Sequence, residues 1–155
     1  EIRTETAELL CSVQTHLRNE IHKSLAYDPP PEYPKKNLRS VAQNLTLQLL
    51  ESLPRIRDLL QTDIQAAYNG DPAALSTEEV IVAYPFVETL AVQRVAHELY
   101  LQKVPLIPRI MTEWAHSRTG ISRQAGAAGG ARRRIAEVRG RGSRQPSRTR
   151  TVRRA

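Results

Sequence analysis

One cysteine, one tryptophan, one phenylalanine and one methionine occur in 155 residues, and aromatic side chains make up only 5% of the chain. The single cysteine, Cys11, excludes an internal disulfide and suits a reducing, cytoplasmic setting. The scarcity of aromatics leaves a core to Leu, Ile, Val and Ala, which favours helices packed on helices over packed sheets. No apolar run approaches the roughly 20 residues that span a bilayer. The chain begins Glu1-Ile2-Arg3 rather than Met, and no signal-peptide pattern opens it. Nothing alternates with a strand period. Histidines at metal-binding spacing are also missing: Leu101 stands four residues after His97, and His16 and His22 are not on one helical face.

What is present is ordinary globular material, 40% hydrophobic and 25% charged, enough for one core. The net charge of +7 is unevenly placed. From Ser122 to Ala155 there are eleven Arg, no Lys and one acid, Glu137, so this segment carries +10 and residues 1–121 carry −3. The basic balance therefore describes a tail, not the body. Five of the seven Gly also fall in that tail, where Ile135, Val138 and Val152 are the side chains larger than Ala that could pack. Such a composition cannot offset its ordering entropy, so a disordered tail over 122–155 is predicted.

The body reads as all-α. Leu10, Val13, Leu17, Ile21 and Leu25 recur at three- and four-residue steps, predicting an amphipathic helix over about 3–25 that Asp28-Pro29-Pro30-Pro31 stops. Residues 1–36 thus form a first helix with a Pro-rich linker, and 37–121 a second helical unit. In it, Val41, Leu45, Leu49 and Leu50 mark a helix expected to end near Pro54, with Pro54 in the first turn of the next, about 55–68. Asn69-Gly70 is expected to close that helix with Gly70 left-handed. Ser76-Thr77-Glu78-Glu79 has capping-box spacing. Val87, Leu90, Ala91, Val95 and Leu99 line a further helix after Tyr84-Pro85, and a last one runs from Leu106 to about Ser117, ending at Gly120.

Three blocks go further than periodicity. Thr62-Asp63-Ile64-Gln65-Ala66-Ala67-Tyr68-Asn69-Gly70-Asp71-Pro72-Ala73-Ala74 is the first. Tyr84-Pro85 with Gln93-Arg94-Val95-Ala96-His97-Glu98-Leu99-Tyr100 is the second. Val104-Pro105-Leu106-Ile107-Pro108-Arg109-Ile110-Met111-Thr112-Glu113, with Ala115-His116-Ser117-Arg118-Thr119-Gly120-Ile121, is the third. In order and spacing they resemble the helical amino-terminal domain of bacterial serine O-acetyltransferases, closely over about 53–121 and more loosely before. The resemblance implies acetyl transfer from the co-substrate acetyl-CoA to L-serine, the first step of cysteine synthesis, with no tightly bound cofactor. It implies that helical domains assemble subunits into a homo-oligomer, and that a left-handed parallel β-helix does the chemistry. There a His takes the proton of the serine hydroxyl, a neighbouring Asp orients that His, and an Arg-His pair holds the substrate carboxylate.

After Gly120-Ile121 the likeness stops. The family continues with an Asp-Ile-His-Pro-Gly opening and hexapeptides with an aliphatic residue at every sixth place, whereas this chain gives Ser122-Arg123-Gln124-Ala125. The β-helix is therefore expected to be absent, no catalytic residue can be carried over, and the 155 residues alone are expected to be inactive. An abrupt change to Arg-rich sequence is what a frameshift in GC-rich coding DNA produces; a genuine divergent tail is the alternative. The family's sulfhydrylase partner, cysteine synthase, docks on the acetyltransferase's extreme carboxyl terminus, and Thr151-Val152-Arg153-Arg154-Ala155 gives no reason to expect that complex. A reading from another class is a helical oligomerisation module whose Arg tail binds nucleic acid non-specifically. The tail lacks the interleaved aromatics of a stacking platform, and it has no apolar face for a membrane surface.

Asp71 is the one site residue that the resemblance carries over, as the carboxylate that meets the ammonium group of the substrate serine. By its residues alone, Asp71-Pro72 reads as a helix N-cap with Pro at the first helical position. Cys11 reads as a buried structural thiol before a reactive one. His97 reads as a structural or interface residue, His16 and His22 as surface residues, and His116 as packed at the domain junction. Asp63 and Glu98 are expected in salt bridges or caps, and Tyr68, Tyr84 and Tyr100 as core or interface anchors.

Overall fold

The computed structural model describes residues 2–33 and 35–126. Among them are five α-helices and no strand: α1 Ile2–Tyr27, then a 3-10 turn at Lys35–Asn37, α2 Leu38–Gly70, α3 Thr77–Ala83, α4 Pro85–Leu101 and α5 Ile107–Thr119. The all-α reading holds. The disordered-tail expectation falls, from residue 127 on, outside the described residues.

The core gathers the apolar stripes that the three- and four-residue steps marked. Ile21 and Leu25 of α1, Ala42, Leu45 and Leu49 of α2, Leu99 of α4 and Val104 just after it are buried together. Leu17, Val41, Val95, Ile107 and Met111 pack against them part-buried. Each large aliphatic side chain so placed contributes about 1.5–3 kcal/mol. Buried residues continue along the other half of the body at Ile56, Ala67, Val80, Leu90 and Ala96.

The expected break at Pro54 does not occur: α2 runs unbroken through it for 33 residues. A proline in a helix interior removes one backbone bond and costs about 3 kcal/mol. Leu49 before it and Ile56 after it are both buried, so the tertiary packing of the two halves outweighs the local penalty. Nor is Gly70 left-handed; the one glycine with positive φ among the described residues is Gly120, at the end of α5. Asp71 ends α2 instead, in extended geometry (φ −121°, ψ 104°), the conformation that a following proline imposes. Cys11 is exposed rather than buried. Leu9, Leu10 and Val13 around the thiol are exposed with it, and Leu10 and Cys11 line an open groove against Leu50, Leu53 and Pro54 of α2.

The α4–α5 connection is tied down from the opposite end of the chain. Ser24 on α1 donates its hydroxyl to the Pro105 carbonyl at 2.5 Å, and Tyr33 in the linker donates to the Gln102 carbonyl at 2.5 Å. Inside the connection, Val104 N–H donates to Leu99 O and Lys103 N–H to Tyr100 O, both at 3.0 Å. That pair of bonds is the Schellman ending of a helix, with Lys103 in the left-handed position at φ 57° and Val104 buried as its apolar lock. Leu106 also has φ 57°, as the centre of a tight three-residue turn in which Ile107 N–H donates to Pro105 O at 2.5 Å.

A lysine in the left-handed region costs about 1–2 kcal/mol that glycine would not incur. Its ammonium lies 5.8 Å over the Tyr100 ring, a contact that at an exposed site returns about 0.5–1 kcal/mol. The strain is the larger effect. Lys103→Gly is therefore predicted to stabilise the body by about 0.5–1 kcal/mol in urea denaturation; a midpoint that falls or stays put would contradict it.

Candidate functional site

Two X-Pro steps face one another across α3. Asp71-Pro72 follows α2, Tyr84-Pro85 separates α3 from α4, and both leading residues are extended, Tyr84 at φ −94°, ψ 114°. The short helix between them starts as its sequence predicts. The Ser76 hydroxyl accepts from Glu79 N–H at 3.1 Å, and the Glu79 carboxylate reaches back to accept from Leu75 N–H at 2.7 Å. Glu78, in the same first turn, is held below the usual carboxylate range by its backbone N–H, helped by the Ser76 and Thr77 hydroxyls.

Because both flanking residues are extended, Asp71 and Tyr84 meet although they stand 13 positions apart. The Tyr84 hydroxyl donates to Asp71 Oδ2 at 2.7 Å. The other oxygen, Oδ1, accepts from Ala73 N–H at 3.0 Å, and the Asp71 carbonyl accepts from Ala74 N–H at 3.1 Å. Asp71 thus shapes a turn and does not open a helix at Pro72. The hydrogen bond to Asp71 raises the Tyr84 pKa above its ordinary value of 10.0, with burial and the charges of Asp71 and Glu79 adding to it. The phenol therefore stays protonated through neutral pH, and the bond is lost only as pH rises past that raised value. The Phe86 ring lies edge-on to Tyr84, centroids 6.0 Å apart, and limits how the phenol can swing.

The rest of the body positions this turn. Eight residues before Asp71 along α2, Asp63 accepts from Arg94 of α4, through Nε at 3.1 Å and through Nη2, with the Asp63 side chain only 10% exposed. Arg55 of α2 pairs with Glu98 of α4 at 2.6 Å. Asp63 and Glu98 are thus salt-bridge groups, as their sequence context suggested.

Of the other singled-out residues, Tyr68 meets Asp71 through its carbonyl, which accepts from Asp71 N–H at 3.4 Å, and the histidines make their contacts elsewhere. His97 Nδ1 meets the Ala125 carbonyl at 2.6 Å, and its ring stacks on Tyr100. Ala125 is buried, so residues 121–126 lie back along α4. His16 contacts its own helix, Nδ1 to Ser12 O at 2.8 Å, and His116 is exposed, not packed away among the described residues. No group of His, Cys, Asp and Glu among the described residues could hold a metal, and no described helix is long and apolar enough to cross a membrane. Tyr84, taken from sequence as an anchor, turns out to be the partner of Asp71. The signal was in the Tyr84-Pro85 step, since the proline fixes the backbone that aims the phenol.

No protein-family model matches the chain. A plasmid-encoded serine acetyltransferase of Synechococcus elongatus is 40% identical over 112 residues, which is 72% of this chain and 35% of that protein. The serine acetyltransferase of Bacillus subtilis is 35% identical over 74 residues, 48% of this chain and 34% of its own length. Among solved structures, Entamoeba histolytica serine acetyltransferase isoform 3 in complex with cysteine superposes with a TM-score of 0.63 at 35% identity, covering 77% of this chain and 38% of that one. Native serine acetyltransferase 1 of the same organism gives a TM-score of 0.67 at 32% identity, over 81% of this chain and 42% of the other. The chain spans about a third of the length of the curated relatives it matches. In sequence and in fold, its helical body matches the helical amino-terminal region of serine acetyltransferases.

Proposed function

We propose that this chain is the subunit-assembling and substrate-facing helical part of a serine O-acetyltransferase, an acyltransferase that moves the acetyl group of acetyl-CoA onto L-serine. The observation that carries the reading is the 40% identity held over 112 residues, in a body whose fold superposes on solved serine acetyltransferases. Asp71 is the residue that faces substrate: a carboxylate fixed at the head of a turn suits the ammonium group of an amino acid. The general base and the acetyl-CoA site belong to a β-helix whose six-residue period is missing after Ile121, and we take the sequence from Ser122 to be displaced from the family's reading frame.

The purified 155-residue chain is accordingly predicted not to acetylate serine. A CoA-release assay with L-serine and acetyl-CoA should give the uncatalysed rate, and turnover well above it would overturn the assignment of the chemistry to the missing coils.

Self-association follows from the apolar surface. On α5 and the turn before it, Leu106 is 49%, Ile110 62% and Trp114 49% exposed. Ile110 belongs to a shallow groove between α1 and α5, with Val13, Leu17, Ile107 and Met111 along its walls. Contiguous apolar surface of this kind drives association. Sedimentation at low micromolar concentration is predicted to show species larger than monomer, and Ile110→Glu to shift them toward monomer. A clean monomer in the unsubstituted chain would contradict it.

A further inference from the structure

Asp71 stands at the head of an open turn, where an aspartate side chain ordinarily rotates about two bonds and points its carboxylate in many directions. Here two donors from different parts of the chain hold it. Ala73 N–H fixes one oxygen locally, and the Tyr84 hydroxyl fixes the other across α3. Two donors on two oxygens set the plane of the carboxylate as well as its position. Since a carboxylate has about four lone-pair sites, being held in this way does not use up the group.

The tyrosine is itself held. Its N–H donates to Val80 O at 3.3 Å, ending α3, and its carbonyl accepts from Val87 N–H at 3.1 Å, opening α4. Pro85 restricts its backbone to extended geometry, and Phe86 sits against its ring. The only charged neighbour that α3 turns toward the phenol is Glu79, whose carboxylate is bonded to Leu75 N–H. The phenol thus has a fixed base, a fixed ring and one strong acceptor.

We propose that Tyr84 is the positioning residue of Asp71: its hydroxyl, set by the junction of α3 and α4, fixes the direction in which the Asp71 carboxylate meets an incoming ammonium group. This rests on the reading of Asp71 as the substrate-facing residue. It makes α3 a spacer that brings two rigid X-Pro steps into register, and it explains why a seven-residue helix with one buried side chain, Val80, is built into the body. Lengthening or shortening α3 would carry the phenol off the carboxylate, since each residue turns a helix by about a quarter of a turn.

The test uses the full 155-residue chain with L-serine as the probe and the Asp71, Ala73 and Ala74 amide resonances as the readout. The unsubstituted chain is expected to show weak L-serine-dependent shifts at these amides at high serine concentration, since the groups that hold the carboxylate lie on the β-helix, and Asp71→Asn to abolish them. Tyr84→Phe keeps the ring against Phe86 and loses only the hydroxyl. It is expected to weaken L-serine binding about tenfold to a hundredfold, the range for losing one hydrogen bond to a charged group, with an unchanged helix content. Normal binding by Tyr84→Phe while Asp71→Asn fails would overturn the positioning role and leave the Asp71 reading standing. Equal responses in the unsubstituted and Asp71→Asn chains, including no response in either, would overturn the Asp71 reading and the positioning role with it. Ultraviolet titration of the phenolate gives a second readout that a packing role would not move. Asp71→Asn should lower the Tyr84 pKa toward its ordinary value, and an unmoved titration would show that the bond does not operate in solution.

Discussion

Arg94 and Asp63 lock α4 to α2, and the position of the Asp71 turn depends on that bond. α2 packs on α4 and α3 as well as on α1, and its last two turns lead directly into Asp71. A rise of about 1.5 Å per residue puts the turn about 12 Å beyond Asp63. Holding Asp63 therefore aims the end of the helix. The Arg55–Glu98 pair further back gives the same two helices a second point of attachment in antiparallel sense. A buried ion pair is a weak source of stability compared with apolar packing, yet losing one partner strands the other charge at a cost of about 3–5 kcal/mol. Its value here is register: Arg94 can meet Asp63 in one sliding position of α4 along α2 and not in its neighbours.

The same division between packing and register explains what could be read from the sequence. Apolar residues at helical steps gave the all-α body, and Ser76 with Glu79 gave the start of α3, because each depends on a few neighbouring residues. Pro54 misled, since its penalty is local while the burial that overrides it comes from other helices. Gly70 misled for the converse reason: Pro72 had already fixed Asp71 extended and ended the helix without help. Cys11 sits in an apolar pattern, but periodicity does not say whether a partner helix exists to cover it. In the candidate site, family likeness pointed to Asp71 as an expectation, while its contact with Tyr84 was not legible, because it depends on the length of α3 and on two prolines.

Strain in the body collects where α4 passes into α5. Lys103 and Leu106 are the non-glycine residues with positive φ among the described positions; a hydrogen bond from Ser24 holds the Pro105 carbonyl between them, and one from Tyr33 holds the Gln102 carbonyl just before. The turn thus fixes the angle of α5, the helix whose outer face bears the exposed Ile110 and Trp114. If that face is an assembly surface, as proposed, a fixed corner beneath it keeps ordering costs on association small.

We propose above all that this helical body comes from a serine acetyltransferase whose sequence is displaced from the family's frame after Ile121. The nucleotide sequence downstream of the Ile121 codon, read in all three frames, tests it most directly. A β-helix depends on aliphatic residues stacked coil upon coil, so DNA that encodes one keeps a six-residue period whether or not that frame is translated. The account predicts that one other frame gives an Asp-Ile-His-Pro-like opening followed by hexapeptides with an aliphatic residue at every sixth place. If no frame restores those repeats, the displaced-frame account is wrong and the Arg-rich segment is the chain's own.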